Sequence, residues 1–467
     1  MNEAVAKPWS TESLCPVCLK RISAERVIDG QEVWLVKSCP EHGETRTVLW
    51  RGEPDLPGWQ RPKIPSQPPV CFTEPQFGCP YDCGLCSNHG QHSCSALFEI
   101  TSRCNMNCPV CFADSGSSAE SDPSLDTIET WLKSVRRACG DHIVIQLSGG
   151  EPTVREDLPD IIRMVRAEGF GFVQVNTNGL RLSGDPAYAG QLQEAGLTSV
   201  FLQFDGTTDE VYRRLRGRTL LDEKVQAIEN CMQSRLGVVL VPTLVPGLNQ
   251  DDIGNILRFG MERAPGVRGV HFQPVSYFGR YPSAPDNTQR LTLPEIIRAI
   301  EQQTEELMKV EDFAPPGCEH SHCSFHGNFV VLDNGKVMPL SSQNATCCNK
   351  PSPAAEGAMK STRFLTHQWA APEIEMPPAS KAGKEKCCDC SEPPSLDDFL
   401  NRIKTHTFAV SGMAFQDVWN VDLERTRNCC IHVVAPDGRL VPFCLYNLTS
   451  ADGHPLYRGK SHADIAP

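Results

Sequence analysis

The sequence predicts an α/β protein: a partial (β/α)6 barrel with an N-terminal metal-knuckle region and a C-terminal cysteine-rich region. Three observations predict it. Residues 96–310 alternate strand and helix patterns in six units; the polar clusters of that stretch fall at the C-terminal ends of its strands; and most of the 23 cysteines stand outside it, many in CxxC-type groups. Six strand–helix units imply a parallel sheet with right-handed crossovers, and they fit an open barrel better than a closed eight. A chain of 467 residues has room for roughly two to four domains.

Composition narrows the class. Apolar content of 40% with 22% charged residues describes a globular protein, and no apolar run approaches the ~20 residues needed to span a bilayer. A net charge of −13 argues against a general nucleic-acid binder, which carries a basic field. It argues equally against whole-surface attraction to anionic membranes, so a lipid substrate implies local, peripheral membrane contact. The opening MNEAVAKPWSTES lacks the basic–apolar–small order of a secretory signal. An odd number of clustered cysteines in so long a chain reads as metal ligands in a cytoplasmic, oxygen-poor setting, not as a disulfide scaffold.

Residues 1–65 hold LCPVC and SCPEHG on either side of a β-type segment, EVWLVKS. Cys15, Cys18, Cys39 and His42 thus form a CxxC–x20–CxxH set, the layout of a zinc-ribbon or rubredoxin-like knuckle for Zn²⁺ or a single iron. Four protein ligands leave no vacancy, which makes the expected role structural. Residues 66–95 form a second nest: GCPYDCGLC supplies Cys79, Cys83 and Cys86, flanked by Cys71 and Cys94. Five thiols in 24 residues suit an auxiliary [4Fe–4S] cluster, with Cys71 and Cys94 competing for the fourth place.

The barrel, residues 96–310, opens with the strand ALFEIT (96–101). It continues through HIVIQLSGG (142–150), GFVQVNTNG (171–179), TSVFLQFDG (198–206), GVVLVPTLVPG (237–247) and GVHFQPVS (269–276). Between strands, DTIETWLKSVRRACG (126–140), EDLPDIIRMVRAEG (156–169) and LLDEKVQAIENCMQSR (220–235) repeat apolar residues at i, i+3, i+4, the period of an amphipathic helix. Cys139 and Cys231 fall on these helices and read as core. Ligands of parallel sheets gather at the carboxyl ends of strands. There the first strand runs into EITSRCNMNCPVCFADSG (99–116), which packs Cys104, Cys108 and Cys111 into eight residues, and the second ends in SGGEP (148–152).

Residues 311–467 return to cysteines. GCEHSHCSFHG gives Cys318 and Cys323, and RNCCIHVVAPDGRLVPFCLYN gives Cys429, Cys430 and Cys444. A further cluster is expected from Cys318, Cys323, one of Cys429 or Cys430, and Cys444. Cys347, Cys348, Cys387, Cys388 and Cys390 lie in less regular loops. His320, His322, His326 and His432 are either additional ligands or ordinary polar residues.

By spacing alone, CxxxCxxC is an incomplete zinc site borrowing a distant ligand or three corners of an iron–sulfur cluster. Its position after a first barrel strand, with SGGEP closing the second, resembles the radical S-adenosylmethionine (radical SAM) superfamily. The resemblance implies that Cys104, Cys108 and Cys111 hold three irons of a [4Fe–4S] cluster while SAM chelates the open fourth. It implies reductive cleavage of SAM to a 5′-deoxyadenosyl radical that abstracts hydrogen from an unactivated carbon. Gly149, Gly150 and Glu151 would then lie against SAM, the glycines letting backbone carbonyls approach its amino group. Asn176, Asn178, Gln203 and Asp205 are placed to meet ribose or carboxylate, and Arg214 or Arg218 to neutralise the carboxylate; each also suits a helix cap or turn. Many members carry an aromatic just before the third cysteine, where this chain has Val110, with Phe112 just after.

The longer pattern adds CPxC…CPEHG, TSRCNMNCPVCFA, QLSGGEPTVREDLP, VQVNTNGLRL, GVHFQPVSYFGR and PDGRLVPFCLYN. It resembles the tetraether lipid synthase group from about residue 12 to 450; homologues there were formerly proposed to methylate a pterin precursor. That resemblance implies a C–C bond formed between lipid chains. An alkyl radical would wait on a sulfur of one of one or two auxiliary [4Fe–4S] clusters, held by the N-terminal and C-terminal cysteine groups. It further implies a small electron donor such as ferredoxin or flavodoxin, a lipid or other small-molecule substrate, and an apolar tunnel at the barrel mouth. SYFGRYP (276–282) and HQWAAPEIEMPP (367–378) are candidates to line that tunnel, though they read better as loops packed on the barrel. The rival readings are a radical SAM methyltransferase acting on a pterin precursor or other small molecule, a peptide-modifying enzyme, and an iron–sulfur electron-transfer or storage protein. The last leaves SGGEP unexplained.

Overall fold

Six parallel strands form the centre of the computed structural model, which describes residues 9–116, 121–340, 351–372, 396–460 and 465. Cys347, Cys348, Cys387, Cys388 and Cys390, and residues 373–378 of the second candidate tunnel segment, lie outside the described residues. The six strands are Ser95–Thr101, Val144–Gly149, Phe172–Thr177, Ser199–Gln203, Gly237–Val241 and Val267–Pro274, each paired in parallel with the next. The expected helices lie between them. Leu125–Cys139 starts where the Ser124 side chain accepts from the Thr127 N–H and stops at Gly140 (φ 75°), burying Ile128, Leu132 and Val135. Helices Leu158–Ala167 and Leu221–Gln233 bury the same kind of stripe. Each aliphatic side chain so buried contributes about 1.5–3 kcal/mol.

Alternation along the strands separates two layers. Ile145, Leu147, Val173, Val175, Val200 and Leu202 pack in one core with the helices, whereas Val144, Phe172, Phe201, Val239 and Val241 pack with Trp369. Trp369 ends the helix Ala354–Trp369 and stacks 5.4 Å from Phe201, so the described part of HQWAAPEIEMPP packs against strand residues, as the packed-loop reading expects.

The sheet continues past the six units. Thr407–Met413 adds in parallel to the sixth strand, followed by antiparallel Ser324–Val331 and Val337–Pro339. On the other edge Ile431–Val434 adds in parallel to the first strand, and Leu440–Pro442 closes it antiparallel. Residues beyond 310, expected only as a cluster region, therefore extend the barrel sheet on both edges. The physical reason is that an open parallel sheet leaves two rows of unpaired backbone groups to be covered.

The N-terminal region is a four-stranded antiparallel ribbon, Trp9–Leu14, Arg21–Asp29, Glu32–Cys39 and Gly43–Arg51. It docks on the barrel through buried Trp50 and through Arg51, whose guanidinium donates to the Arg290 carbonyl at 2.8 Å. Between ribbon and barrel, the irregular GCPYDCGLC loop is organised by buried Asp82. One of its carboxylate oxygens accepts from the backbone N–H groups of Gln76, Phe77 and Gly78 at 2.8, 2.8 and 2.6 Å. Among the described residues, no helix is long and apolar enough to cross a membrane.

Candidate active site

The loop carrying Cys104, Cys108 and Cys111 leaves the first strand and is gripped at both ends. At its start, the Gly150 N–H donates to the Thr101 carbonyl at 2.8 Å and the Glu151 N–H to the Arg103 carbonyl at 2.9 Å. A Cβ on Gly149 (φ 119°) would collide with the Thr101 carbonyl oxygen, and one on Gly150 with that of Arg103. The space freed by these glycines is thus taken by the chain's own cysteine loop. Glu151 is equally occupied: its buried carboxylate accepts from the Thr153 and Thr177 hydroxyls, both at 2.6 Å, and from the Asn178 N–H at 2.7 Å. The Asn178 side-chain amide then donates to Asn105 inside the loop at 2.7 Å. The second and third strand ends are in this way tied to the cysteines by side chains the sequence reading had assigned to SAM.

At the far end, Arg280 and Cys111 exchange backbone hydrogen bonds at 2.9 and 3.0 Å, and the Arg280 guanidinium donates to the Cys108 carbonyl at 2.9 Å. Gly279 permits this, because a Cβ there would press on the Phe112 and Cys111 carbonyls. SYFGRYP is therefore a clamp on the loop, consistent with the packed-segment reading.

The charge beside the thiols comes from the fourth strand. Asp205 is fully buried and receives Arg216 through two hydrogen bonds of 2.8 Å. The Arg216 guanidinium holds the Asp205 carboxyl below its ordinary value despite burial. Arg216 also donates to the Val110 carbonyl at 3.3 Å, and its charge favours the Cys108 thiolate against the burial that raises that thiol. Gln203 accepts from buried Lys224 at 3.0 Å, and burial lowers that lysine to about 8. Burial first, then Glu151, Cys108 and Cys111, raises Cys104 to about 11, so a bound cation would be needed to hold it as thiolate.

Arg214 and Arg218, the expected carboxylate partners, lie exposed, and Arg218 pairs with Glu223. Arg216 is the arginine that turns inward, to Asp205, because it shares the inner face of helix Asp209–Arg216 with Tyr212 and Leu215. Sequence reading also missed Lys224, Arg280 and Arg458. Arg458 pairs with Glu99 of the first strand at 2.7 Å, close enough for Cys111 to influence its charge. Helical spacing from Tyr212 admits Arg216 among the helix's arginines without selecting it, and nothing comparable marks the others. Asn176 donates to Gln146 at 3.2 Å, while its own carbonyl oxygen and that of Gln174 are buried without partners.

The remaining cysteines regroup. Cys15, Cys18, Cys39 and His42 converge with all four ligand atoms within 4.8 Å of one another, and His42 Nδ1 stands 3.5 and 3.4 Å from the Cys15 and Cys39 sulfurs. A tetrahedral ion with bonds of ~2.3 Å to sulfur and ~2.0 Å to nitrogen needs a separation of about 3.5 Å, so this set fits a metal. Cys86 lies within electrostatic reach of Cys71, Cys79 and Cys83, and Cys79 within reach of Cys83. Cys94 leaves that nest: its sulfur lies within 4.8 Å of those of Cys318 and Cys430, all three buried within the set. The cause is sheet pairing, since the Cys94 N–H donates to the Cys430 carbonyl at 2.8 Å where Ile431–Val434 joins the first strand. Cys323, Cys429 and Cys444 form a separate group lining one cavity. The single C-terminal cluster expected from Cys318, Cys323, Cys429 or Cys430, and Cys444 is thus divided between two places.

An open parallel barrel whose first strand delivers a three-thiol loop to the mouth defines a class. Residues 98–260 match the model of the radical SAM superfamily, and residues 8–51 match the HMPTM N-terminal zinc ribbon domain. The chain belongs to the radical SAM superfamily, in the family of a Methanocaldococcus jannaschii protein named 7,8-dihydro-6-hydroxymethylpterin dimethyltransferase. That relative is 35% identical over 492 aligned residues, covering 94% of this chain and 93% of its own. A probable GTP 3',8-cyclase of Methanothermobacter thermautotrophicus is 32% identical over 178 residues, 38% of this chain and 56% of that one. Among solved structures, Streptococcus suis SuiB is similar at TM-score 0.39 and 13% identity, covering 47% of this chain and 48% of that one. The protein is a radical SAM enzyme with SAM, iron–sulfur and zinc-ribbon cofactors.

Proposed function

We propose that Cys104, Cys108 and Cys111 hold the cluster that supplies the reducing electron to SAM, and that the enzyme alkylates an unactivated carbon, coupling two lipid chains. The cysteine groups at 71–86, at 94, 318 and 430, and at 323, 429 and 444 serve the chemistry that follows hydrogen abstraction. One observation carries this reading. The Cys323–Cys429–Cys444 group opens on a cavity where Met413, Phe415, Ile431 and Phe443 offer an apolar wall suited to hydrocarbon, beside the polar side chains of Glu319, His320 and Arg425. Phe443 stacks 5.7 Å from Phe112 of the radical loop and 4.4 Å from Phe415, which makes a continuous apolar link between the two cysteine groups.

Within that scheme the chain's own residues position and exclude. Arg216 and Asp205 fix the charge beside Cys108, Glu151 and Asn178 hold the loop against the second and third strands, and the aromatic group keeps water from a reactive carbon radical.

A second reading is methyl transfer to a pterin, supported by the name of the M. jannaschii relative. The orphaned amide oxygens of Gln174 and Asn176 favour it too, because buried acceptors suit a heterocycle bearing N–H donors. Reduced enzyme given SAM and membrane lipid extract decides between them. Chain-coupled lipid with 5′-deoxyadenosine supports coupling; unchanged lipids, with S-adenosylhomocysteine appearing beside 5′-deoxyadenosine when a pterin is added, replace it with methyl transfer.

A further inference from the structure

A second cavity, which shares Ala414, Phe415 and Arg425 with the cysteine-lined one, opens between the ribbon's last strand, the end of the sixth barrel strand and the segment 414–425. Trp50, Ser276, Arg290, His322, Asn420 and Arg425 are among the residues that line it, and no aspartate or glutamate does. In a chain of net charge −13, two guanidiniums and no carboxylate around one cavity is a marked local bias.

The two arginines differ in what they hold. Arg290 is neutralised by the buried Asp417 carboxylate through hydrogen bonds of 2.9 and 3.0 Å. Arg425, only 7% exposed, has no carboxylate among the described residues. One of its terminal nitrogens donates at 3.3 Å to the Cys323 sulfur and at 3.3 Å to the Ala414 carbonyl, and its Nε is buried without a partner. A guanidinium offers five donors, and leaving a buried charged donor unmet is costly, so an anion in the cavity is the natural complement. The chain runs on from this cavity to the candidate radical loop: four residues after Ser276, Arg280 grips the Cys104–Cys111 loop.

We propose that this cavity is a subsite for the oxyanion group, carboxylate or phosphate, of a small molecule other than SAM, with Arg425 as its anchor and Asn420 and Ser276 on the cavity wall. The proposal is independent of whether the enzyme couples lipids or transfers methyl groups. Its competitor is that Arg425 serves only the charge of a metal bound at Cys323.

The test is isothermal titration of the anaerobically reconstituted full-length enzyme with inorganic phosphate and, separately, with acetate. Each titration is run with and without saturating SAM, and iron is counted in every sample. Wild type binds one of the two probes saturably, and SAM leaves that binding in place; the better probe identifies the group as phosphoryl or carboxylate. Arg425→Gln weakens it at least about tenfold, whereas Arg425→Lys, which keeps the charge, weakens it less. Asn420→Asp brings a carboxylate to the cavity wall without touching Cys323, keeps the iron content, and also weakens binding about tenfold. The proposal is overturned if neither probe binds, if SAM displaces the probe, or if Asn420→Asp binds like wild type.

Discussion

Asp205 and Arg216 bear the most at the scale of single residues, because a carboxylate with no exposure depends on one guanidinium for most of its compensation. Arg216→Gln leaves that charge buried and unpaired, which costs about 3–5 kcal/mol, and removes the positive charge that favours the Cys108 thiolate. Arg214→Gln, two residues away on the solvent face, changes stability by no more than about 0.5 kcal/mol. Denaturant unfolding of the two variants, with 5′-deoxyadenosine yield alongside, checks this contrast; equal losses in both would falsify the assignment. The strand-end position of Gln203 and Asp205 was readable from QFDG, although Asp205 is taken by Arg216 and Gln203 by Lys224. Arg216 was not, because choosing among Arg213, Arg214, Arg216 and Arg218 requires the helix's rotation about its axis. That rotation follows from which side packs on Met106 and Leu220, a tertiary fact.

The six central strands and their helices were readable because each strand is a β-branched or aromatic run ending at a glycine-rich or polar turn, a signal contained in neighbouring residues. Ile431–Val434 and Leu440–Pro442, of 4 and 3 residues, carry too few side chains for a period, and the strand that Ile431–Val434 joins, Ser95–Thr101, lies hundreds of residues away. Missing that edge pairing is what hid the true neighbours of Cys94. The GGEP turn joins both lessons: its presence was plain, but its glycines meet the cysteine loop itself. Gly150→Ala forces a methyl group against the Arg103 carbonyl, so the loop must shift. The expected cost is about 1–3 kcal/mol of stability, with loss of SAM cleavage of about a hundredfold or more, since catalytic geometry tolerates little displacement. Iron content and 5′-deoxyadenosine yield of the purified variant check it, and normal cleavage would mean the glycines are not what seats the loop.

Taken whole, the molecule buries histidines it must keep neutral. His271 sits inside the sheet, its Nδ1 2.8 Å from the Ser411 hydroxyl and its ring 6.2 Å from that of Trp369, and burial lowers it to about 4. His326, two strands over on Ser324–Val331, is lowered by burial to about 4 as well. Between pH ~6.5, where an unfolded histidine takes its proton, and pH ~4, the unfolded chain binds protons that the native protein refuses. Each such histidine therefore leaves stability intact above pH ~6.5 and removes roughly 3 kcal/mol as pH falls to ~4, with the steepest loss about 1.4 kcal/mol per pH unit. His271→Gln carries no titrating group and still offers a partner to Ser411. Its unfolding free energy should fall less steeply than wild type between pH 6.5 and 4.5, by up to one proton's slope, whatever the acid sensitivity shared by both proteins. Parallel denaturant series at half-unit pH steps read that difference, and superimposable slopes would show that His271 is already protonated, or solvated, in the native barrel.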